Sequence, residues 1–153
     1  MVLQLTIVVA TVLLGFAALR SVQAVAGLST AAPSVAAALT GAIYTSTADG
    51  TTVNANLYEQ CDQVYLDGGP QNQNGGGGLP PGTYYFQVTN PNGDVLLSTD
   101  NAVCRQLTVN SSGAIAGATG PCPHTNGITN PANGNTPVQL YPFNATPNIA
   151  VCS

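Results

Sequence analysis

The chain has 153 residues, enough for one domain of ordinary size and a single hydrophobic core. Only 5% of them are charged, against about 25% in a typical globular protein. With two Arg, no Lys and a net charge of −4, a basic patch is impossible, which excludes nucleic-acid binding through phosphate neutralisation. A 44% hydrophobic composition with few charges is the opposite of the signature of intrinsic disorder. Uncharged polar groups must therefore cover the surface, which suits an extracellular protein better than a cytosolic enzyme.

The chain opens on a run from Met1 to Leu19 in which only Gln4, Thr6 and Thr11 are polar. As a helix this run would be about 28 Å long, close to the thickness of a bilayer core. It is apolar all round, so such a helix has no solvent face and must lie in lipid or inside protein. An Ala-rich stretch follows, from Ser21 to Ala42, interrupted by Gly27 and Pro33. The first 40 residues hold one charge, Arg20. Val22-Gln23-Ala24 matches the small-x-small pattern of a signal cleavage site. However, the run has no basic residue before it and exceeds the usual apolar stretch of about 7–15 residues. The expectation is a retained N-terminal segment, residues 1–40, followed by a domain at 41–153. A retained segment needs lipid or other subunits to cover it.

From Gly41 onward the pattern is β. Ala42–Thr47 and Thr52–Tyr58 alternate around Asp49-Gly50, a hairpin signal. Gln63–Leu66 reads as a short strand, and the glycine-rich stretch from Asp67 to Gly78 as a flexible loop. Thr83–Thr89, rich in aromatic and β-branched types, is the strongest strand. Asp94–Ser98 is its expected hairpin mate. Cys104–Val109 and Ala114–Ala118 form a further hairpin around Asn110-Ser-Ser-Gly113, and Val138–Phe143 a last strand. Seven or eight short strands separated by Gly, Pro and Asn turns predict a mainly β, Ig-like sandwich. Its tyrosines are expected in core and cross-strand pairs.

Four cysteines, Cys61, Cys104, Cys122 and Cys152, are too widely spaced for the close pairs of a zinc site and read as two disulfides of an oxidising compartment. Cys104 and Cys122 flank one hairpin, so the expected pairing is Cys104–Cys122 and Cys61–Cys152. The catalytic repertoire is thin. His124 lies in a loop with no nucleophile motif beside it, and is expected to be solvated or hydrogen-bonded. The absence of Lys removes Schiff-base chemistry and a P-loop. The carboxylates of Asp49 and Asp94 fall in turns, where they bond nearby backbone. No catalytic residue, metal or cofactor is expected. Asn110 and Asn144 each begin an Asn-x-Ser/Thr sequon and are candidate glycosylation sites.

Leu79-Pro-Pro-Gly-Thr-Tyr-Tyr-Phe-Gln-Val88, followed by Asn90-Pro-Asn-Gly-Asp-Val95, resembles the signature strand of prealbumin-like, collagen-adhesin B-type domains of bacterial surface proteins. Gly41–Thr45, Tyr65–Pro70 and Val138–Asn148 extend the resemblance over residues 41–148. It implies a prealbumin-like sandwich. Many such domains carry a Lys–Asn isopeptide bond, which a chain without Lys cannot form, so the cysteines would do the stapling. The resemblance also implies one more strand after Asn148, leaving a sheet edge unfilled here. The N-terminus resembles a type IV pilin helix in layout, though Leu5 stands where pilins carry Glu.

The expected function is a structural subunit of an extracellular filament or pilus, a homopolymer at the cell surface. Its N-terminal segment would pack in the filament core through Leu5, Val9, Val12, Leu13 and Phe16, with the membrane as partner before assembly and glycans as further partners. The alternative is a secreted or membrane-tethered adhesin or carbohydrate-binding module whose signal peptide is cleaved.

Overall fold

The structure is a computed structural model that describes residues 5–8, 41–55, 57–70, 77–122 and 124–144. It is mainly β. Strand β1 covers Leu5–Val8, β2 Ile43–Ser46, β3 Tyr65–Gly68, β4 Gly82–Val88, β5 Gln106–Val109, β6 Ile115–Ala118 and β7 Val138–Gln139. The only helical elements among the described residues are two 3-10 turns, Cys61–Gln63 and Ala102–Cys104. One sheet runs β1-β4-β5-β6 and the other β2-β3-β7, and every pairing is antiparallel.

The alternation read from the sequence sets the core. In β4, Tyr84, Phe86 and Val88 are buried, while Tyr85 and Gln87 are half-buried. In β5, Leu107 and Val109 are buried between half-exposed Gln106 and Thr108. These side chains join Leu66 of β3, Ile115 of β6, Val138 of β7 and the flanking Val64 and Leu140 in one hydrophobic cluster fed by both sheets. A fully buried Leu, Val or Phe contributes about 1.5–3 kcal/mol, so this shared cluster is the main force holding sheet to sheet. All four residues of β3 are buried, as expected of the central strand of its sheet. The Tyr84 hydroxyl donates to Pro80 O at 2.6 Å, so that core tyrosine carries no unpaired polar group.

Several expected strands are shorter, for local reasons. Among its described residues, Thr52–Tyr58 contributes an isolated bridge, Val53 to Ser46, and backbone bonds at Thr52 and Asn54; Asn54 adopts φ 50° and leaves the extended conformation. Asp94–Ser98 contributes a bridge from Leu96 to Thr89 and the bond from Leu97 N to Val88 O. There the Asn90 side chain takes the amides of Asp94 and Val95 and curls the chain. The 3-10 turns delay β3 and β5 by capturing Gln63 and Cys104. β7 ends at Gln139, three residues before Pro142, which has no N–H to give a ladder.

The N-terminal run, for which a helix was the first expectation and a donated strand the other, contributes a strand at Leu5–Val8, paired along β4. Thr6, Ile7 and Val8 are β-branched, stiff at χ1 and suited to a pleated surface, and the free edge of β4 supplies the partner backbone. Residues 9–40, with Val9, Val12, Leu13 and Phe16 among them, lie outside the described residues. No helix among the described residues is long and apolar enough to cross a membrane.

The end of the glycine run is a packing contact. A side chain at Gly113 would meet Gly78 Cα at 2.7 Å, and Leu79 N donates to Gly113 O at 3.1 Å. Gly113 also has φ 82°, as the turn Asn110–Gly113 requires. Gly113→Ala therefore combines a strained backbone with an overlap of main chains and should cost about 2–4 kcal/mol, read as a lower urea midpoint. A change below about 0.5 kcal/mol would show that the two segments are not in contact.

Candidate functional site

Three of the four sheet edges are covered by the chain between residues 47 and 54 or between 124 and 139. Beside β2, Val53 bridges Ser46 and Asn54 N donates to Thr45 O. Beside β7, Asn126 bridges Val138 and Gln139 N donates to Thr125 O. Beside β6, Thr136 N donates to Ile115 O and Ala118 N to Asn126 Oδ1. At the fourth edge the outermost strand is β1, which covers β4.

The register there is Leu5 opposite Val88, Thr6 opposite Gln87, Ile7 opposite Phe86 and Val8 opposite Tyr85. The apolar Leu5 and Ile7 thus fall opposite Val88 and Phe86, two of the three core-facing residues of β4, and the polar Thr6 opposite half-buried Gln87. A slip of one residue would invert this match. Of the five assembly residues expected from the sequence, the structure places Leu5 on this edge.

A polar cluster braces the other side of β4. Arg105 donates from Nε to Phe86 O at 3.1 Å and from Nη1 to Asp100 O at 2.6 Å and Asp100 Oδ1 at 3.2 Å. The second carboxylate oxygen of Asp100 lies 3.0 Å from His124 Nε2. His124 Nδ1 donates to Gln139 O of β7 at 2.8 Å, since a carbonyl can only accept. The imidazole stands edge-on to the Phe86 ring, centroids 5.0 Å apart. His124 is 7% exposed, so of the two expected environments it is the hydrogen-bonded one. Both its nitrogens lie within hydrogen-bond distance of protein oxygens.

The Cys104–Cys122 disulfide, Cα atoms 4.8 Å apart, lies next to Arg105 and two residues before His124, holding the segments that carry the cluster. Cys61 is buried and disulfide-bonded. Its expected partner, Cys152, lies outside the described residues. Asn110 uses its side-chain oxygen to accept from Ser112 N, Ser112 Oγ and Ala114 N, making it the clasp of its turn. Asn144 is exposed.

Sequence reasoning missed the pairing of Asp100 with Arg105, although Arg105 is the sole Lys or Arg after residue 20 and adjoins a disulfide cysteine. Asp67, expected to open the glycine-rich loop, is instead part of a strand. It sits on β3 opposite Tyr44, 2% exposed, accepting only from Gly68 N at 2.7 Å among the described side-chain bonds. Burial pushes its carboxyl above the ordinary 3.8, and the amide of Gly68 offsets this in part. By contrast, the Thr47 hydroxyl and the backbone and hydroxyl of Thr51 hold exposed Asp49 below the ordinary range. No cluster of His, Cys, Asp or Glu among the described residues is arranged to hold a metal.

Comparison of the chain with protein-family models, curated proteins and solved structures finds no match.

His124→Ala removes two part-buried hydrogen bonds, those to Gln139 O and Asp100 Oδ2. It should lower stability by about 3 kcal/mol with the β circular-dichroism signature intact. A midpoint unchanged within error would show that the cluster is not formed. Asp67 has its pKa raised on folding, so its contribution is fully present below the unfolded value and is lost as pH rises through the folded value. Asp67→Asn should therefore stabilise the protein at pH 7 and flatten that dependence. Denaturation midpoints of both proteins between pH 3 and 8 check this, and a less stable Asn variant at pH 7 would contradict it.

Proposed function

We propose that the chain is the repeating structural subunit of an extracellular filament or pilus. Residues 1–40 serve as the assembly element, and residues 41–153 form an outward-facing β-sandwich stapled by disulfides. The observation that carries this reading is the pairing of β1 with β4. An apolar N-terminal strand completes a sheet, although residues 9–40 separate it from the rest of the fold. Natural proteins guard sheet edges with charge, Pro or bulges. Leu-Thr-Ile-Val of β1 and Tyr-Tyr-Phe-Gln-Val of β4 have none of these in sequence.

Other observations support the same reading. Residues 1–40 hold a single charge, and a chargeless apolar segment of that length is stable in water only when covered. The Cys104–Cys122 bond fits an oxidising, extracellular setting. The two antiparallel sheets around one core agree with the sandwich implied by the resemblance to prealbumin-like surface domains, and exposed Asn144 is open to a glycan.

Electron microscopy of the full chain should show filaments of regular subunit spacing. Leu13→Asp should abolish them, because a buried unpaired carboxylate costs several kcal/mol. If Leu13→Asp forms the same filaments, residues 1–40 act only as a targeting signal. The secreted adhesin or sugar-binding module then becomes the better reading.

A further inference from the structure

We infer that the edge of β4 takes the N-terminal strand of a second copy, so that each subunit completes the sheet of the next. This rests on the filament reading and specifies its joint. The pairing of β1 with β4 defines what the edge accepts: a short apolar strand, antiparallel, in the register that sets Ile7 opposite Phe86. A second copy carries that same strand.

Chain length permits the exchange. As a continuous helix, residues 9–40 would run about 48 Å, and extended they would reach about 105 Å. A unit of about 100 residues is near ~34 Å across. The strand can therefore reach a neighbour's β4 as readily as its own, and a connection of this length imposes no hairpin that would favour its own chain. Exchange of an identical element is a low-cost route to association.

The other edges point to the same joint. Those of β2, β6 and β7 are occupied by bridges and side-chain bonds from residues 47–54 and 124–139. The β4 edge is the one whose cover comes from a sequence-distant, chargeless segment. Giving β1 to the next copy also carries residues 9–40 between subunits, where their apolar side chains leave water. The relation is head-to-tail, since the donor strand and the acceptor edge are different surfaces. Such contacts propagate into open filaments unless a rotation closes them.

The test uses thiol cross-linking of the full chain. Its native cysteines compete little, because none among the described residues is free. Thr6→Cys and Gln87→Cys face each other in the register. Copies carrying Thr6→Cys and one tag are mixed in denaturant with copies carrying Gln87→Cys and another, refolded together, and treated with a short bis-maleimide. Exchange predicts a two-tag dimer, and for the double variant a ladder of multimers on a denaturing gel. If the double variant closes only within single chains while wild-type filaments are present, strand exchange is overturned and the filament reading stands. If wild type gives no filaments, the filament reading itself fails. If neither variant cross-links, the β1–β4 register is wrong and the inference falls with it.

Discussion

The fold depends on β4 being paired along both sides. It is the longest strand, seven residues, and its buried face supplies Tyr84, Phe86 and Val88 to the core. A strand so placed cannot leave a row of N–H and C=O groups unmet at low cost. On one side its partners are β5 and Arg105, whose carbonyl accepts from Phe86 N at 3.0 Å. On the other, the partner is β1. The second partner, Leu5–Val8, comes from the most apolar part of the chain, so completion of this sheet depends on the N-terminal segment. That coupling connects the fold to the proposed assembly.

The scarcity of charge gives the remaining polar groups unusual weight. Asp100, Arg105 and His124 meet in one cluster that ties the backbone of β4 to that of β7. A buried ion pair is weak evidence of net stability, because desolvation offsets the Coulomb attraction, but breaking one is costly. What the cluster adds is geometry. It fixes Phe86 through its carbonyl and its ring, and Phe86 is the residue opposite which Ile7 falls. Drawing these groups inward leaves the outer surface still less charged, which lowers electrostatic repulsion between any two copies of the chain.

The β character and the main strand were legible in the sequence. Thr83–Thr89 alternates in aromatic and β-branched residues and became β4, and the turn at Asn110–Gly113 was signalled by its residues. The Cys104–Cys122 bond followed from its place around a hairpin. What could not be read locally were features set by distant partners. Leu5–Val8 is apolar enough for helix or strand, and the free edge of β4, some eighty residues away, decides between them. Asp94–Ser98 reads as a strand, but the Asn90 side chain intercepts its amides. His124, Asp100 and Arg105 are scattered in sequence and become one cluster only once the disulfide and both sheets are in place. Val9, Val12, Leu13, Phe16 and Cys152 fall outside the described residues.

Amide hydrogen exchange along β4 tests the two-sided pairing most directly. Phe86 donates toward β5, so the alternation of the strand turns the amides of Tyr85 and Gln87 toward β1. In the full chain those two amides should exchange slowly. In Thr6→Pro, which removes a donor from β1, they should exchange much faster while Phe86 stays protected. Rapid exchange of Tyr85 and Gln87 in the unaltered full chain would mean that the edge of β4 stands open and that β1 is not its partner.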